Sequence, residues 1–154
     1  MLRLKLKCQL LLLVFLFSGL PLLHTQAHGS IGEEEIVSFV GLTLQQLIDR
    51  FGVPRMVYAA RGLEDWQDDV VFVYDQGYFY IYRDRVWQVG LHSIRGISRG
   101  DPQGIIYLRM GENAVAQGNA FFYPLHVAPW PLMLRWDIDN AGRIRAIFIY
   151  RADL

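Results

Sequence analysis

Cysteine is almost absent from this chain of 154 residues, which contains only Cys8. In a bacterial lipoprotein the lipidated cysteine follows the apolar core of the export signal, whereas Cys8 precedes the apolar run at residues 9–24. We therefore expect no lipid anchor, and we expect Cys8 to be removed with the N-terminal segment. The remaining chain would have no disulfide, no thiol nucleophile and no thiolate ligand for a metal.

Lysine is also scarce, since Lys5 and Lys7 are the only two. Three of the 15 basic residues lie within the first 27 positions, and the other 12 are all arginine, against 15 acidic residues. Without the first 27 residues the net charge would be about −3 with histidine neutral. A mildly acidic chain without a basic run argues against nucleic acid as a partner.

The first 27 residues have the pattern of an export signal. Arg3, Lys5 and Lys7 precede the apolar run, and Thr25–Ala27 supplies small residues suited to signal peptidase. A membrane-spanning helix needs about 20 uninterrupted apolar residues, whereas Pro21 and the glycine before it interrupt this run. The sequence predicts cleavage after Ala27 and an exported protein, periplasmic or secreted. The polar, glycine-containing start of the segment 28–40 predicts a flexible linker.

The segment GLTLQQLIDRFGVP, residues 41–54, predicts a short capped helix. Thr43 and Gln46 have the spacing of a capping box. Four apolar residues then follow at helical spacing: Leu44, Leu47, Ile48 and Phe51. Gly52 can end the helix with a positive φ, and Pro54 prevents the helix from resuming. A phosphate-binding glycine loop is not expected, because no Lys-Ser or Lys-Thr pair follows Gly52.

Three strands rich in Val, Ile and aromatic residues are predicted at 68–77, 78–84 and 85–92. The same order then recurs: Gly100 and Gly111 each lie 59 residues after their counterparts Gly41 and Gly52. Asp101 followed by Pro102 predicts an N-cap and first helical residue. AFFYP at 120–124 and the hairpin pattern at 132–150 complete the second set.

A repeat of this length predicts two copies of one αβββ unit. The expected fold class is α+β, with two tandem helix-then-antiparallel-meander repeats that form one sheet and helices packed on one face. The expected boundaries are a signal peptide at 1–27, a linker at 28–40, the first repeat at 41–92, a connector at 93–99 and the second repeat at 100–154.

The glycine-framed helix followed by FVYDQG and YRDRVWQVGL resembles the BamE (SmpA/OmlA) superfamily, and the tandem arrangement resembles the β-lactamase inhibitory protein family. The second half departs from the pattern, because Gly104 falls inside its helix and Asn113 replaces the proline. The resemblance implies a secreted or envelope protein that binds other proteins and is not an enzyme. Attachment to an outer membrane through a lipidated cysteine is not expected.

The sequence predicts neither a catalytic site nor a bound cofactor. No serine lies in a G-x-S-x-G elbow, and neither His92 nor His126 has the spacing of a metal ligand. The acidic cluster EDWQDD at 64–69 could bind calcium through its carboxylates, but a solvated acidic turn is the favoured interpretation.

Alternation in the second predicted strand separates its tyrosines from Phe79 and Ile81. Phe79 and Ile81 are expected to pack against the helices, together with Trp87, Val89 and Leu91 of the next strand. Tyrosines on an exposed sheet either stabilise it by cross-strand pairing or anchor a partner, and the family resemblance favours binding. The predicted partner-binding residues are Tyr78, Tyr80, Tyr82, Gln88 and His92. The alternative is an assembly or structural factor of the cell envelope that contacts membrane proteins through the Pro-Trp-Pro segment around Trp130.

Overall fold

The structure is a computed structural model that describes residues 32–61, 69–125 and 129–154. Its helices are α1 (Glu33–Val37), α2 (Leu44–Phe51) and α3 (Gly104–Met110). The strands of the first half are β1 (Met56–Ala60), β2 (Asp69–Tyr74), β3 (Gly77–Tyr82) and β4 (Arg85–Leu91). A small hairpin of β5 (Ser93–Ile94) and β6 (Ile97–Ser98) follows. The strands of the second half are β7 (Val115–Gln117), β8 (Ala120–Leu125), β9 (Leu132–Ile138) and β10 (Ile144–Arg151).

The chain is α+β, with a large antiparallel sheet and few helices. Eight strands form this sheet in the order β1-β2-β3-β4-β10-β9-β8-β7, and β5 and β6 form a separate two-stranded sheet. The last strand of each half, β4 and β10, pair with each other at the centre. All three helices contribute buried side chains to one core, among them Ile36, Leu47 and Ile106. We call the sheet face that packs on this core the inner face and the opposite one the outer face.

The capping box predicted for α2 is confirmed. The amide of Gln46 donates to Thr43 Oγ1 at 3.2 Å, and the amide of Thr43 donates to Gln46 Oε1 at 2.9 Å. Gly52 ends the helix with φ +75° and ψ −151°. The positive φ agrees with the prediction, but ψ lies outside the left-handed helical region, in a backbone region that is essentially restricted to glycine.

The predicted start of α3 is wrong. The helix begins at Gly104 rather than at Pro102, and its N-cap residue, Gln103, makes no side-chain capping bond. The carboxylate of Asp101 instead accepts a hydrogen bond from the amide of Ser98 at 2.8 Å, so it stabilises the preceding turn. Gly104 is therefore the first residue of the helix and not an interior one.

The prediction of three strands in each half is also wrong in number. In the described ranges, four strands of the large sheet follow α2 and another four follow α3. The missed strands, β1 and β7, lie at the two edges of the sheet. Their residues are mostly exposed, and a strand with no buried side lacks the alternation of apolar and polar residues from which strands are predicted. The other predicted strands agree with β2, β3, β4, β8, β9 and β10.

The prediction of a flexible linker at 28–40 is wrong for its described part. Residues 33–37 form α1, and Ile36 and Phe39 are 2 % and 0 % exposed. The ring of Phe39 contacts those of Phe51 and Phe79 at centroid distances of 5.2 and 5.6 Å. The carboxylate of Glu33 binds the guanidinium of Arg95 on the β5–β6 turn. Apolar residues near the end of this segment thus pack it into the core.

Several predictions concern residues outside the described ranges: the signal peptide at 1–27, the first residues of the linker, most of the acidic segment 64–69, and His126. In the part of the chain that the structure describes, no helix is long and apolar enough to cross a membrane.

Candidate functional site

A β-bulge in β4 changes which side chains reach the outer face. The register between β3 and β4 shifts after Tyr80, and Val86 and Val89 are both fully buried although three positions apart. The two residues between them, Trp87 and Gln88, are only half-buried and do not belong to the core. The prediction that Trp87 packs against the helices is wrong, since it is half-buried and its Nε1 donates to Asp69 Oδ1 at 3.0 Å.

Tyr78 and Tyr80 lie on the outer face, on either side of the fully buried Phe79. Val71, on β2, is directly opposite Tyr80 of β3 on one side and Tyr58 of β1 on the other. This valine is 0 % exposed but is not part of the core cluster beneath the helices. The tyrosine side of the sheet therefore contains a small packed layer of its own rather than separate exposed rings.

A groove of about 290 Å³ lies on the outer face where β3 and β4 meet β10, and we call it the seam groove. Its lining includes four aromatic rings, one glycine and one arginine: Tyr58, Tyr78, Tyr80, Phe148, Gly90 and Arg99. The rings of Tyr80 and Phe148 meet edge to face with centroids 6.2 Å apart. The groove thus has apolar walls and a cationic residue in its lining.

Gly90 is the reason that the seam groove has depth. It lies between Tyr78 on β3 and Phe148 on β10 in one row across the sheet. A Cβ at this position would lie 3.3 Å from Tyr78 Cβ and 3.5 Å from Phe148 Cε1. Any larger residue would therefore occupy the space between these two rings.

His92 lies beside the groove, and Arg99 is part of its lining. The His92 ring contacts that of Tyr78 at 5.8 Å, and the amide of Arg99 donates to the carbonyl of His92 at 3.0 Å. Nε of Arg99 donates to the carbonyl of Arg145 at 2.9 Å, which fixes the direction of the side chain. No carboxylate of the described residues forms an ion pair with Arg99.

The outer face of the second half carries an ion cluster. Arg135 Nε binds Asp137 Oδ1 at 2.6 Å, and the exposed Arg145 approaches the other oxygen at 3.7 Å. Asp137 is only 6 % exposed, so its charge is compensated by these two arginines. The guanidinium of Arg135 also lies about 6 Å from the ring centres of Phe122 and Phe148, which is at the limit of a cation–π contact.

Burial raises the pKa of Tyr80 to about 12, with smaller contributions from Tyr58 and Asp69. Loss of the phenolic proton would place a negative charge in a half-buried position beside an existing carboxylate. Tyr80 therefore remains a neutral hydrogen-bonding group at every physiological pH.

The predicted binding residues are only partly brought together. Tyr78 and Tyr80 line the seam groove, and His92 lies beside it. Gln88 is opposite Tyr80 and Tyr150 on the outer face but does not line the groove. Tyr82 is at the end of β3, where the guanidinium of Arg83 lies 5.1 Å from its ring centre.

The aromatic and charged groove residues that were not predicted from the sequence are Tyr58, Arg99 and Phe148. The alternation in IFIY at 147–150 is the signal that could have identified Phe148, because it puts this residue on the face opposite the buried Ile147 and Ile149. No comparable signal exists for Tyr58, on an edge strand, or for Arg99, in the connector.

Trp130, the centre of the predicted Pro-Trp-Pro contact segment, is half-buried and packs against the core. The guanidinium of Arg151 lies 3.8 Å from its ring centre. The edge of the ring is so close to Gly41 that a Cβ there would lie 2.8 Å from Trp130 Nε1. The ring therefore has a structural role between the two halves of the chain.

Comparisons with known proteins do not assign a family. No family model and no curated protein matches the chain. Among solved structures, it is similar to an extracellular protein containing a SCP domain from Bacillus anthracis str. Ames, with a TM-score of 0.48 and 10% sequence identity. The match covers 81% of this chain and 47% of that one, so the chain spans about half the length of that protein. Within the described ranges, no three residues of His, Cys, Asp or Glu are grouped so that they could hold a metal ion.

Proposed function

We propose that this chain is an exported, non-enzymatic module that binds another protein through the outer face of its sheet. The observation that carries the proposal is the seam groove, because its aromatic walls lie on the face opposite the core to which all three helices contribute. Tyrosine provides a large, rigid contact area with few rotatable bonds and a hydroxyl that can bond to a partner. An apolar recess on a protein surface is typical of an interaction site.

We further propose that the two halves are copies of one αββββ unit. The support comes from matching contacts at each helix start. The amide of Gly41 donates to Val86 O, and that of Gly100 donates to Ile144 O, both at 2.8 Å. Likewise Arg85 Nη1 donates to Gly41 O, and Arg143 Nη1 donates to Gly100 O, both at 2.9 Å. A shared arrangement of this kind is the expected result of an internal duplication.

The alternative of a cell-envelope assembly factor relied on contact through Trp130. Its half-buried ring, stacked on Arg151, offers little surface to a membrane protein. An assembly role therefore remains a second candidate only if it also uses the outer face. Export itself is tested by N-terminal sequencing of the protein from its native cell, which should begin at His28.

The binding proposal is tested by a pair of variants. Tyr78→Ser combined with Phe148→Ser removes both walls above Gly90, whereas Leu108→Ser changes a residue that is 78 % exposed on α3, a helix of the inner side. Cross-linking and pull-down from the native cell should recover a partner with the wild type and with Leu108→Ser. Because aromatic anchors each contribute about 2 kcal/mol or more, recovery by the double variant should fall at least tenfold.

Thermal melting of all three proteins provides the control, since the double variant must be folded for the comparison to count. Should both variants recover the same partner as the wild type, binding occurs on another surface. A single charge introduced between the walls, Gly90→Asp, is a second route to the same result and should also abolish recovery.

A further inference from the structure

The seam groove is an open recess on a sheet face, with a volume of about 290 Å³. This volume is at the lower end of the range of about 300–1,000 Å³ for small-molecule sites, but such sites bury most of their ligand, which a recess on an open sheet face does not do. Its walls are rings with a glycine floor, and the hydroxyls of its tyrosines are the main neutral polar groups. It has the dimensions of a recess for one large side chain that projects from an extended segment.

The electrostatic character of the groove is asymmetric. Arg99 contributes a permanent positive charge to the lining and has no ion-pair partner among the described carboxylates. The carbonyl of Arg145 accepts from Arg99 Nε, and the guanidinium of Arg145 shares its ion-pair partner, Asp137, with Arg135. Arginine in this position favours a planar anion, because the two Nη groups can bind both oxygens of a carboxylate while Nε keeps its bond to the backbone.

Resting on the proposed protein-binding function, we propose that the seam groove binds an acidic segment of the partner. An aromatic or large apolar side chain of that segment enters between Tyr78 and Phe148 above Gly90. A neighbouring Asp or Glu of the same segment binds the guanidinium of Arg99. The neutral hydroxyl of Tyr80, whose ionisation is suppressed by burial, adds no negative charge that would oppose such a ligand.

A second copy of this chain is the competing occupant, and it is less well matched. In the described part of the chain, the exposed aromatic side chains belong to segments with adjacent arginines, for example Tyr58 between Arg55 and Arg61, and Tyr107 beside Arg109. Since Arg55 is paired with Asp75, insertion of Tyr58 would bring the charge of Arg61 toward Arg99 and Arg145, and insertion of Tyr107 would bring that of Arg109. A partner segment of opposite charge avoids this repulsion.

The test uses short peptides as probes and the isotope-labelled protein observed by NMR. Acetyl-Phe-Glu-amide should shift the backbone amides of Gly90 and its neighbours across the seam. Acetyl-Phe-Gln-amide and acetyl-Phe-Lys-amide keep the ring but remove or reverse the charge. We expect the Glu peptide to bind about three- to fivefold more tightly than the Gln peptide, as an exposed ion pair would, and the Lys peptide to bind more weakly than both.

Arg99→Gln should abolish the preference for Glu over Gln without abolishing the groove shifts, whereas Arg109→Gln on α3 should keep the preference. The difference in affinity between the Glu and Gln peptides should also decrease at 1 M salt, because ions screen an exposed ion pair. Equal binding of the Glu and Lys peptides, or shifts outside the groove, would overturn the proposal. Groove shifts that grow with protein concentration in the absence of peptide would also overturn it, since they would identify a second copy as the occupant.

Recovery of the native partner separates this proposal from the proposed function. If Arg99→Glu retains the partner while Tyr78→Ser with Phe148→Ser loses it, the acidic assignment is wrong and protein binding through this face stands. If Arg99→Glu and the double variant both retain it, the outer face is not the binding surface. Loss in both, together with the Glu preference of the wild type, supports the two proposals jointly.

Discussion

The outer surfaces of the two halves differ at positions that have the same register in the strand pairs β3–β4 and β9–β10, each of which contains a register shift. On β3, Tyr78 and Tyr80 are on either side of the buried Phe79, and on β9, Arg135 and Asp137 are on either side of the buried Trp136. Tyr78 is opposite Gly90 on β4, and Arg135 is opposite Phe148 on β10. The same backbone positions therefore carry an aromatic pair in one half and an ion pair in the other.

The helix starts show the same contrast between a common backbone and different side chains. Gly41 and Gly100 have φ values of +93° and +91°, and each amide bonds to the matching strand. Yet α2 has a side-chain cap and α3 has none. Positions where the backbone requires glycine are constrained by sterics, whereas outward-facing side chains are free to differ and thus to provide different surfaces.

The largest predicted effect tests whether Phe79 and Trp136 are equivalent core residues. Both are fully buried, and Phe79 contacts the rings of Phe39, Phe51 and Tyr74. Phe79→Ala and Trp136→Ala should each lower the free energy of unfolding by about 3–5 kcal/mol. The Trp136 change should fall at the lower end, because the wild-type Nε1 is buried and has no hydrogen-bond partner among the residues that the structure describes.

Urea denaturation measures both losses, with Tyr82→Ala at the end of β3 as the control. Tyr82 is half-buried beside the turn, so its truncation should cost clearly less than either core change. A cost for Tyr82→Ala that equals that of Phe79→Ala would mean that the two faces of β3 have been assigned in reverse.

The second prediction distinguishes backbone strain from side-chain crowding at Gly41 and Gly100, the glycines that precede α2 and α3. At Gly100 a Cβ meets no atom within 4 Å, whereas at Gly41 it lies 2.8 Å from Trp130 Nε1. Gly100→Ala should cost about 1–2 kcal/mol for the positive φ alone. Gly41→Ala should cost a further 1–3 kcal/mol or so, because the Trp130 ring must move.

Thermal melting of both variants checks this difference, and Trp130→Ala supplies the third measurement. In a Trp130→Ala background, Gly41→Ala should cost no more than Gly100→Ala does in the wild type. Equal losses of stability for Gly41→Ala and Gly100→Ala in the wild-type protein would show that the Trp130 ring moves without an energetic cost and is not held by Arg151.

The sequence predicts positions that the backbone or burial constrains better than it predicts outward-facing side chains. The glycine frame, the capping box and the strands with one buried face were predicted, because each has a local pattern that sterics or burial imposes. Trp87 was assigned to the wrong face, since a bulge at its position reverses the alternation. The seam groove requires Tyr58 and Phe148 to line one recess from strands far apart in sequence. Such an arrangement leaves no local pattern in the sequence.

The third prediction uses the difference in capping. Thr43→Ala should lower the free energy of unfolding by about 1 kcal/mol, because it removes the acceptor for the Gln46 amide. Gln103→Ala, at the equivalent end of α3, should change it by less than about 0.5 kcal/mol, since no side-chain cap is lost. Denaturant midpoints of the two variants give the comparison, and a larger cost at Gln103 would contradict the observed asymmetry.

The last prediction concerns alkaline pH and compares Tyr80 with Tyr150, its neighbour across β4. Burial raises the pKa of both phenols, that of Tyr80 to about 12 from 10.0. Between pH 10 and about 12 the folded protein therefore keeps a proton on Tyr80 that the unfolded chain has lost. Since the unfolded state binds fewer protons in this window, the free energy of unfolding falls as the pH rises through it.

Tyr80→Phe should make this fall shallower, and Tyr150→Phe should do so to a smaller extent. Denaturation at pH 9, 10, 11 and 12 measures the slopes, and the absorbance of tyrosinate at about 295 nm follows the ionisation itself. Some decline should remain in each variant, because burial also raises the pKa of Tyr74. Should Tyr80→Phe leave the slope of the wild type unchanged, the tyrosine side of the outer face is as well hydrated as the ion cluster of the other half. In that case the packed layer around Val71 would not shield Tyr80 from water.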